Sequence, residues 1–188
     1  MTIDDEKKQL RTMVKQKIAL LSKAYCKQAD KDIFERVIAL KEYQLANTIF
    51  MYIGREDEIN TKPILLQALE DKKRVCVPLC IGKGIMEARE IHGLEDLRAG
   101  AYGILEPKEG LPLINPASID MALIPCMTGN IKGERLGYGG GFYDRYLAKG
   151  MFCRVLLCRQ KLMERQIPTD DHDMLMDIVI SEKDTIYV

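Results

Sequence analysis

Gly133-Glu-Arg-Leu-Gly-Tyr-Gly-Gly-Gly-Phe-Tyr-Asp-Arg145 sets five glycines (133, 137, 139, 140 and 141) within nine positions, immediately ahead of a segment, Phe142 to Lys149, that reads as helical. Glycine loses more conformational freedom on folding than any other residue. A cluster of it outside a linker therefore signals positive backbone dihedrals or a main chain that something must approach closely. Bare amides leading into a helix N-terminus suit an anion, and phosphate is the natural guest. The alternative is a flexible surface loop with helix-capping glycines. Arg135, Asp144 and Arg145 favour the phosphate reading, since these residue types hold a phosphate and its magnesium. No Gly-x-x-x-x-Gly-Lys-Ser/Thr occurs in the chain, and the loop does not fit Gly-x-Gly-x-x-Gly with a following acidic ribose contact.

Outward from this loop, apolar strand-like runs alternate with helical patterns. Leu10, Met13, Val14, Ile18 and Leu21 repeat at helical spacing and predict a first helix from about Asp4 to Ser22, with Lys7, Arg11 and Lys15 on one face. A second helix is expected over about Lys31 to Tyr43. Thr48 to Ile53 reads as a strand buried on both faces and ended by Gly54. A charged loop, Arg55 to Glu58, then leads to Thr61, the expected N-cap of a helix Lys62 to Glu70 with Pro63 in its first turn. Glu58 thus falls at the carboxyl end of a strand, where open α/β sheets bind ligands. Further strands are expected at Arg74 to Leu79, Ile85 to Ile91, Ile119 to Ile124, Arg154 to Cys158 and Asp177 to Ile180, the last closing the sheet; signals between His92 and Pro116 are weak. The pattern predicts one three-layer α/β domain over residues 1–188, Rossmann-like, with a mainly parallel sheet flanked by helices.

Composition narrows the function. Lys plus Arg equals Asp plus Glu, 28 each, so nothing points to a nucleic acid or an acidic membrane as partner. The N-terminal stretch is too charged for a signal peptide and no apolar run is long enough for a membrane span, so a cytoplasmic protein is expected; the balanced charge and modest size are compatible with a monomer. The six cysteines contain no Cys-x-x-Cys pair, and the two histidines, His92 and His172, are isolated; the cysteines read as small core residues and no structural metal is expected.

Arg135-Leu-Gly-Tyr-Gly-Gly-Gly-Phe-Tyr-Asp-Arg145 followed by Leu147 resembles the signature of the 5-formyltetrahydrofolate cyclo-ligase family, also called methenyltetrahydrofolate synthetase. Lys7-x-x-Leu10-Arg11, Asp57-Glu58-Ile59-x-Thr61, Gly103-Ile-Leu-Glu-Pro107 and Pro168-x-x-x-His172-Asp173-x-x-x-Asp177 agree with it in order and approximate spacing. The resemblance implies an ATP- and magnesium-dependent ligase that converts 5-formyltetrahydrofolate to 5,10-methenyltetrahydrofolate. Lys7, Lys8, Leu10 and Arg11 would then help hold ATP, with Arg135, Leu136, Gly137, Tyr138, Gly139, Gly140, Gly141, Phe142 and Tyr143 wrapping its triphosphate. Arg135 and Arg145 would neutralise charge in the phosphoryl transfer, and Asp144 and Asp177 would contact Mg2+. Ile53, Glu58 and the Tyr138, Gly139, Gly140, Gly141 and Phe142 segment would face the folate.

The chain departs from that pattern in places. Asn130 stands where family members commonly carry Asp, removing a possible metal carboxylate. Arg159 and Leu162 break an Ala-Phe-x-x-Gln pattern, Gly54 replaces a frequent Ser, and Phe142 replaces Tyr. Two alternatives stand beside the ligase: a folate- or nucleotide-binding regulatory member that has lost turnover, favoured by Asn130, and an unrelated α/β phosphate binder such as a sugar-phosphate isomerase or kinase.

Overall fold

A computed structural model of the chain describes residues 2–100 and 103–188; Ala101 and Tyr102, within the weak 92–116 region, lie outside the described residues. An eight-stranded sheet forms its centre. In chain order the strands are β1 (Thr48–Met51), β2 (Arg74–Gly82), β3 (Ile85–Ile91), β4 (Leu97–Ala99), β5 (Leu105–Pro107), β6 (Leu113–Ile114), β7 (Met121–Ile124), β8 (Thr128–Gly129), β9 (Arg135–Leu136), β10 (Cys153–Leu157), β11 (Ile178–Ile180) and β12 (Thr185–Tyr187). The large sheet runs β12-β11-β10-β7-β1-β2-β3-β6, while β4–β5 and β8–β9 form separate two-stranded ribbons. The inner pairings β2/β1, β1/β7, β7/β10 and β10/β11 are parallel; the pairings outside them are antiparallel. The mainly parallel α/β architecture expected from the sequence is the one observed.

The apolar runs of β1, β7 and β11 are continuous because helices cover both sheet faces. Alternate side chains divide between two cores. Ile49, Met51, Leu123, Val155 and Leu157 face α2 (Lys23–Ala39) and α4 (Lys62–Glu70) through Ile33, Val37, Ile64, Leu65 and Ala68. Phe50, Ala122, Ile124 and Leu156 face Tyr146 and Leu147 of α5 (Phe142–Leu147). Each fully buried aliphatic side chain contributes about 1.5–3 kcal/mol of transfer free energy. A third cluster sits past the carboxyl ends of β7 and β10: Val14, Leu10 and Ile18 of α1 (Ile3–Ala19) pack on Met127, Cys158 and Leu162. That packing lays α1 over the end of the sheet where ligands bind in such folds.

Several boundaries differ from the sequence reading. The second helix starts eight residues earlier, at Lys23, because the Ser22 hydroxyl accepts the Tyr25 N–H at 3.2 Å. It also stops at Ala39, since Leu40 turns extended (φ −61°, ψ 137°) to bury its side chain, and a short α3 (Lys41–Leu45) follows. Met13, expected on the apolar stripe of α1, is exposed; the buried row instead includes Lys7 together with Val14. Thr61 does precede α4, but its side chain makes no cap bond. Its hydroxyl donates to Tyr52 O at 2.7 Å and accepts Gly54 N–H at 3.1 Å, stapling the start of the charged loop to its end. The sheet does not close at Ile180, because β12 adds an antiparallel edge beyond it. Among the described residues no helix is long and apolar enough to cross a membrane.

Candidate active site

Past β7 the chain makes the β8–β9 hairpin, and that hairpin delivers Arg135 and then the glycine loop. Asn130 builds its turn: its side-chain oxygen accepts the N–H of Lys132 (3.0 Å) and Glu134 (3.1 Å), and its amide donates to Glu134 Oε2 at 2.5 Å. An Asp at 130 would set two carboxylates against each other there. The Asn is therefore matched to Glu134 in this turn.

Within the loop, Gly139 takes φ +97° and Gly141 φ +64°, backbone that other L residues rarely adopt. A Cβ on Gly139 would also stand 3.4 Å from the Arg11 guanidinium carbon, so the loop lies bare beside that cation. The helix after it, α5, has six residues and ends at Leu147 rather than Lys149. So short a helix adds little dipole, and an anion here depends on loop amides and side-chain cations.

Those cations are unequally placed. Arg11 leans over the loop, its Nε donating to Gly137 O at 2.9 Å. Lys7, though buried, donates to Asp170 at 2.7 Å and Asp173 at 2.6 Å, so the first helix is tied to the C-terminal motif. Lys8 is exposed, and Leu10 packs in the α1 cluster. Arg135 is buried above the Tyr143 ring (5.9 Å); its Nη2 bonds Asp144 at 2.6 Å and its Nε has no partner among the described residues. Asp144 also accepts the Met174 N–H at 3.3 Å. Leu136 is buried and offers only backbone, its carbonyl accepting Met127 N–H at 2.8 Å.

Two expected site residues have protein partners in the fold. Arg145 turns back on its own loop, its Nη1 donating to the carbonyls of Gly140 (3.2 Å), Gly141 (3.4 Å) and Gly84 (3.5 Å), which makes it a clamp between the β2–β3 hairpin and the loop. Asp177 does not join Asp144. Both its oxygens accept from the Arg154 guanidinium (3.0 and 2.9 Å), and one also takes the Arg154 N–H at 2.7 Å. Among the described residues no cluster of three or more His, Cys, Asp or Glu is placed to hold a metal ion.

Tyr138 carries the glycine loop to a second wall. Arg55 stacks over its ring at 4.7 Å, and the Glu58 carboxylate, which lines the same crevice as Tyr138, accepts the Arg55 N–H at 2.9 Å. Desolvation first, and then the negative charge of Glu58, push the Tyr52, Tyr138 and Tyr143 hydroxyls above their ordinary range. Glu58 is thus the electrostatic focus of a narrow crevice of about 20 Å³ whose walls include Tyr52, Glu58, Met127, Tyr138 and Leu157. Ile53, expected to face the folate, is buried in the sheet core and does not line this crevice. Tyr52 and Arg55 belong to this wall and were not singled out from the sequence as site residues; both flank the strand end where Glu58 was expected.

Arg159 holds this wall from behind, in a bidentate pair with Asp30 of α2. Gly54 is a second constraint. A Cβ there would meet Ile59 O at 1.9 Å, because the loop folds back onto it. Gly54→Ala should therefore lift the Glu58 loop and cost about 2 kcal/mol, roughly 5 °C in melting temperature. An unchanged thermal melt would show that the loop is not seated as described.

Comparisons with known proteins identify the family. A 29% identical relative over 182 residues, covering 93% of this chain and 97% of its own length, is the 5-formyltetrahydrofolate cyclo-ligase of Haemophilus influenzae. The probable 5-formyltetrahydrofolate cyclo-ligase of Schizosaccharomyces pombe is 26% identical over 199 residues, covering 96% and 97%. The NMR structure of Aquifex aeolicus 5,10-methenyltetrahydrofolate synthetase superposes with a TM-score of 0.84 at 25% identity, covering 96% of this chain and 92% of that one. The family model described as the 5-formyltetrahydrofolate cyclo-ligase family matches residues 3–182, so this chain, with its glycine loop, Arg11 and Glu58 gathered at one end of the sheet, belongs to that family of enzymes.

Proposed function

We propose that the enzyme closes the imidazoline ring of 5-formyltetrahydrofolate at the expense of ATP, giving 5,10-methenyltetrahydrofolate, ADP and phosphate. The observation that carries the reading is Arg135: a buried guanidinium with an unpartnered Nε lies at the foot of a bare glycine loop whose Tyr138 also walls the Glu58 cleft. A buried donor without an acceptor is costly, and a phosphate oxygen would satisfy it.

The substrate's N5-formyl group is an amide whose oxygen leaves poorly. Transfer of the γ-phosphoryl group to that oxygen breaks the terminal phosphoanhydride bond of ATP and leaves an iminium-like carbon. N10 then attacks, the C–O bond breaks with phosphate as leaving group, and the N10 proton is released. In such transfers positioning and charge neutralisation do most of the work. The glycine-loop amides, Arg11 and Arg135 hold the phosphates, Arg145 fixes the loop that carries them, and Glu58 with Tyr138 orients the folate ring. Asp144 fits magnesium, a hard cation that takes one or two carboxylates with phosphate oxygens and water completing its shell. Bound there, the metal would neutralise charge on the transferring phosphate; Asp177 could reach it only by giving up Arg154.

The test is absorbance of the methenyl product. Purified protein with 5-formyltetrahydrofolate, ATP and Mg2+ should form it, and omission of any one component should abolish it. Binding of ATP and folate by calorimetry without product would replace the ligase reading with a binding protein.

A further inference from the structure

We propose that Arg159, anchored by Asp30, is a positioning residue that holds the Asp57–Glu58 loop at the depth folate recognition needs. The inference rests on the reading of the Glu58 cleft as the folate site. Arg159 follows β10, on the far side of β7 from the strand that carries the loop, and its side chain is 4% exposed. Its guanidinium makes four bonds. Nε and Nη2 fork onto the two Asp30 oxygens at 2.8 and 3.0 Å, Nη1 donates to Asp57 O at 3.3 Å, and Nη2 donates to Glu58 O at 2.8 Å. Asp30 completes the brace by accepting the Asn60 N–H at 3.0 Å. The loop is therefore gripped at residues 57, 58 and 60 by one buried ion pair, while the Glu58 carboxylate is left to accept the Arg55 N–H and to line the crevice beside Tyr138.

The pair could have been a generic core ion pair, which seldom stabilises more than apolar packing would. What marks it as a positioning device is where its spare donors go. They satisfy peptide carbonyls of the one loop that carries Glu58, and a planar guanidinium fixes both carbonyls relative to Asp30 in a way a point charge cannot.

The test compares Arg159→Lys, Arg159→Met and Asp30→Asn with the wild-type enzyme, measuring KM and calorimetric Kd separately for 5-formyltetrahydrofolate and for ATP, with circular dichroism and thermal melts. Lysine keeps the charge but loses the fork, so the folate KM and Kd should rise about ten-fold in Arg159→Lys and Asp30→Asn, with ATP values within about two-fold. Arg159→Met should be worse on folate than Arg159→Lys, a partial rescue that mere packing would not produce. Folate constants within two-fold of wild type in the folded Lys and Asn variants would overturn the proposal. So would equal losses on both substrates, or loss of the fold in every variant, either of which assigns the pair to general stability. Failure of the folate reading itself shows elsewhere, as a wild-type enzyme that neither binds nor converts 5-formyltetrahydrofolate.

Discussion

Arg135→Met should lower turnover by about 10³-fold while the protein still binds folate, the magnitude found when one preorganised donor is taken from a developing oxyanion. The guanidinium is buried, its Nη2 is committed to Asp144 at 2.6 Å, and its Nε points where no protein acceptor stands. Methionine fills similar volume, so the cavity cost is small. The larger structural effect is on Asp144, which is left partly buried and without its cation. Some loss of thermal stability should therefore accompany Arg135→Met, and Arg135→Met combined with Asp144→Asn should recover it without recovering activity. If Arg135→Met retains more than about a tenth of wild-type kcat, an arginine at the transferred phosphate is not part of the mechanism, because a charge-assisted contact of this kind is worth more than that. If the double variant is no more stable than the single one, the Arg135–Asp144 pair is not the reason for the loss.

The pair also shows what the sequence could and could not disclose. The glycine loop, Arg11 and Glu58 were legible because each carries a local signal: a density of glycines, a cation on a helix face, a carboxylate just past a buried strand. Helix α4 and strand β3 matched their expected bounds for the same reason, since period and turn chemistry are written in neighbouring residues. Charge pairing leaves no such trace. Lys7 meets Asp170 and Asp173 from 163 and 166 residues away, and Arg159 meets Asp30 across 129. The first turns of α2 were missed for a related reason. Their residues are polar or small, and Asp30 faces inward only because Arg159 waits for it. Arg145 and Asp177 show the opposite case. Each is of the right type for phosphate or metal, but the folded chain supplies a nearer partner, main-chain carbonyls for one and Arg154 for the other.

Glu58→Gln should raise the KM for 5-formyltetrahydrofolate by about 30-fold and leave the KM for ATP within about two-fold. Glu58 lies in the cleft wall with its side chain 11% exposed. Its charge raises three tyrosine hydroxyls after burial has done so, which means the cleft as a whole favours donors and neutral acids over anions. A reduced pterin ring presents such donors in its ring amide N–H and its exocyclic amine. Glutamine preserves length and one acceptor but exchanges the other for a donor and removes the charge, so one charge-assisted bond of about 2 kcal/mol becomes neutral or is lost. That energy is the 30-fold. Arg55 would lose its 3.4 Å ion pair with Glu58 at the same time, which should lower thermal stability as well but acts on both substrates' constants alike. The discriminating result is the split between substrates. A loss on ATP equal to that on folate would mean that Glu58 acts through the Tyr138 end of the glycine loop, whereas a loss confined to folate places the carboxylate on the ring itself.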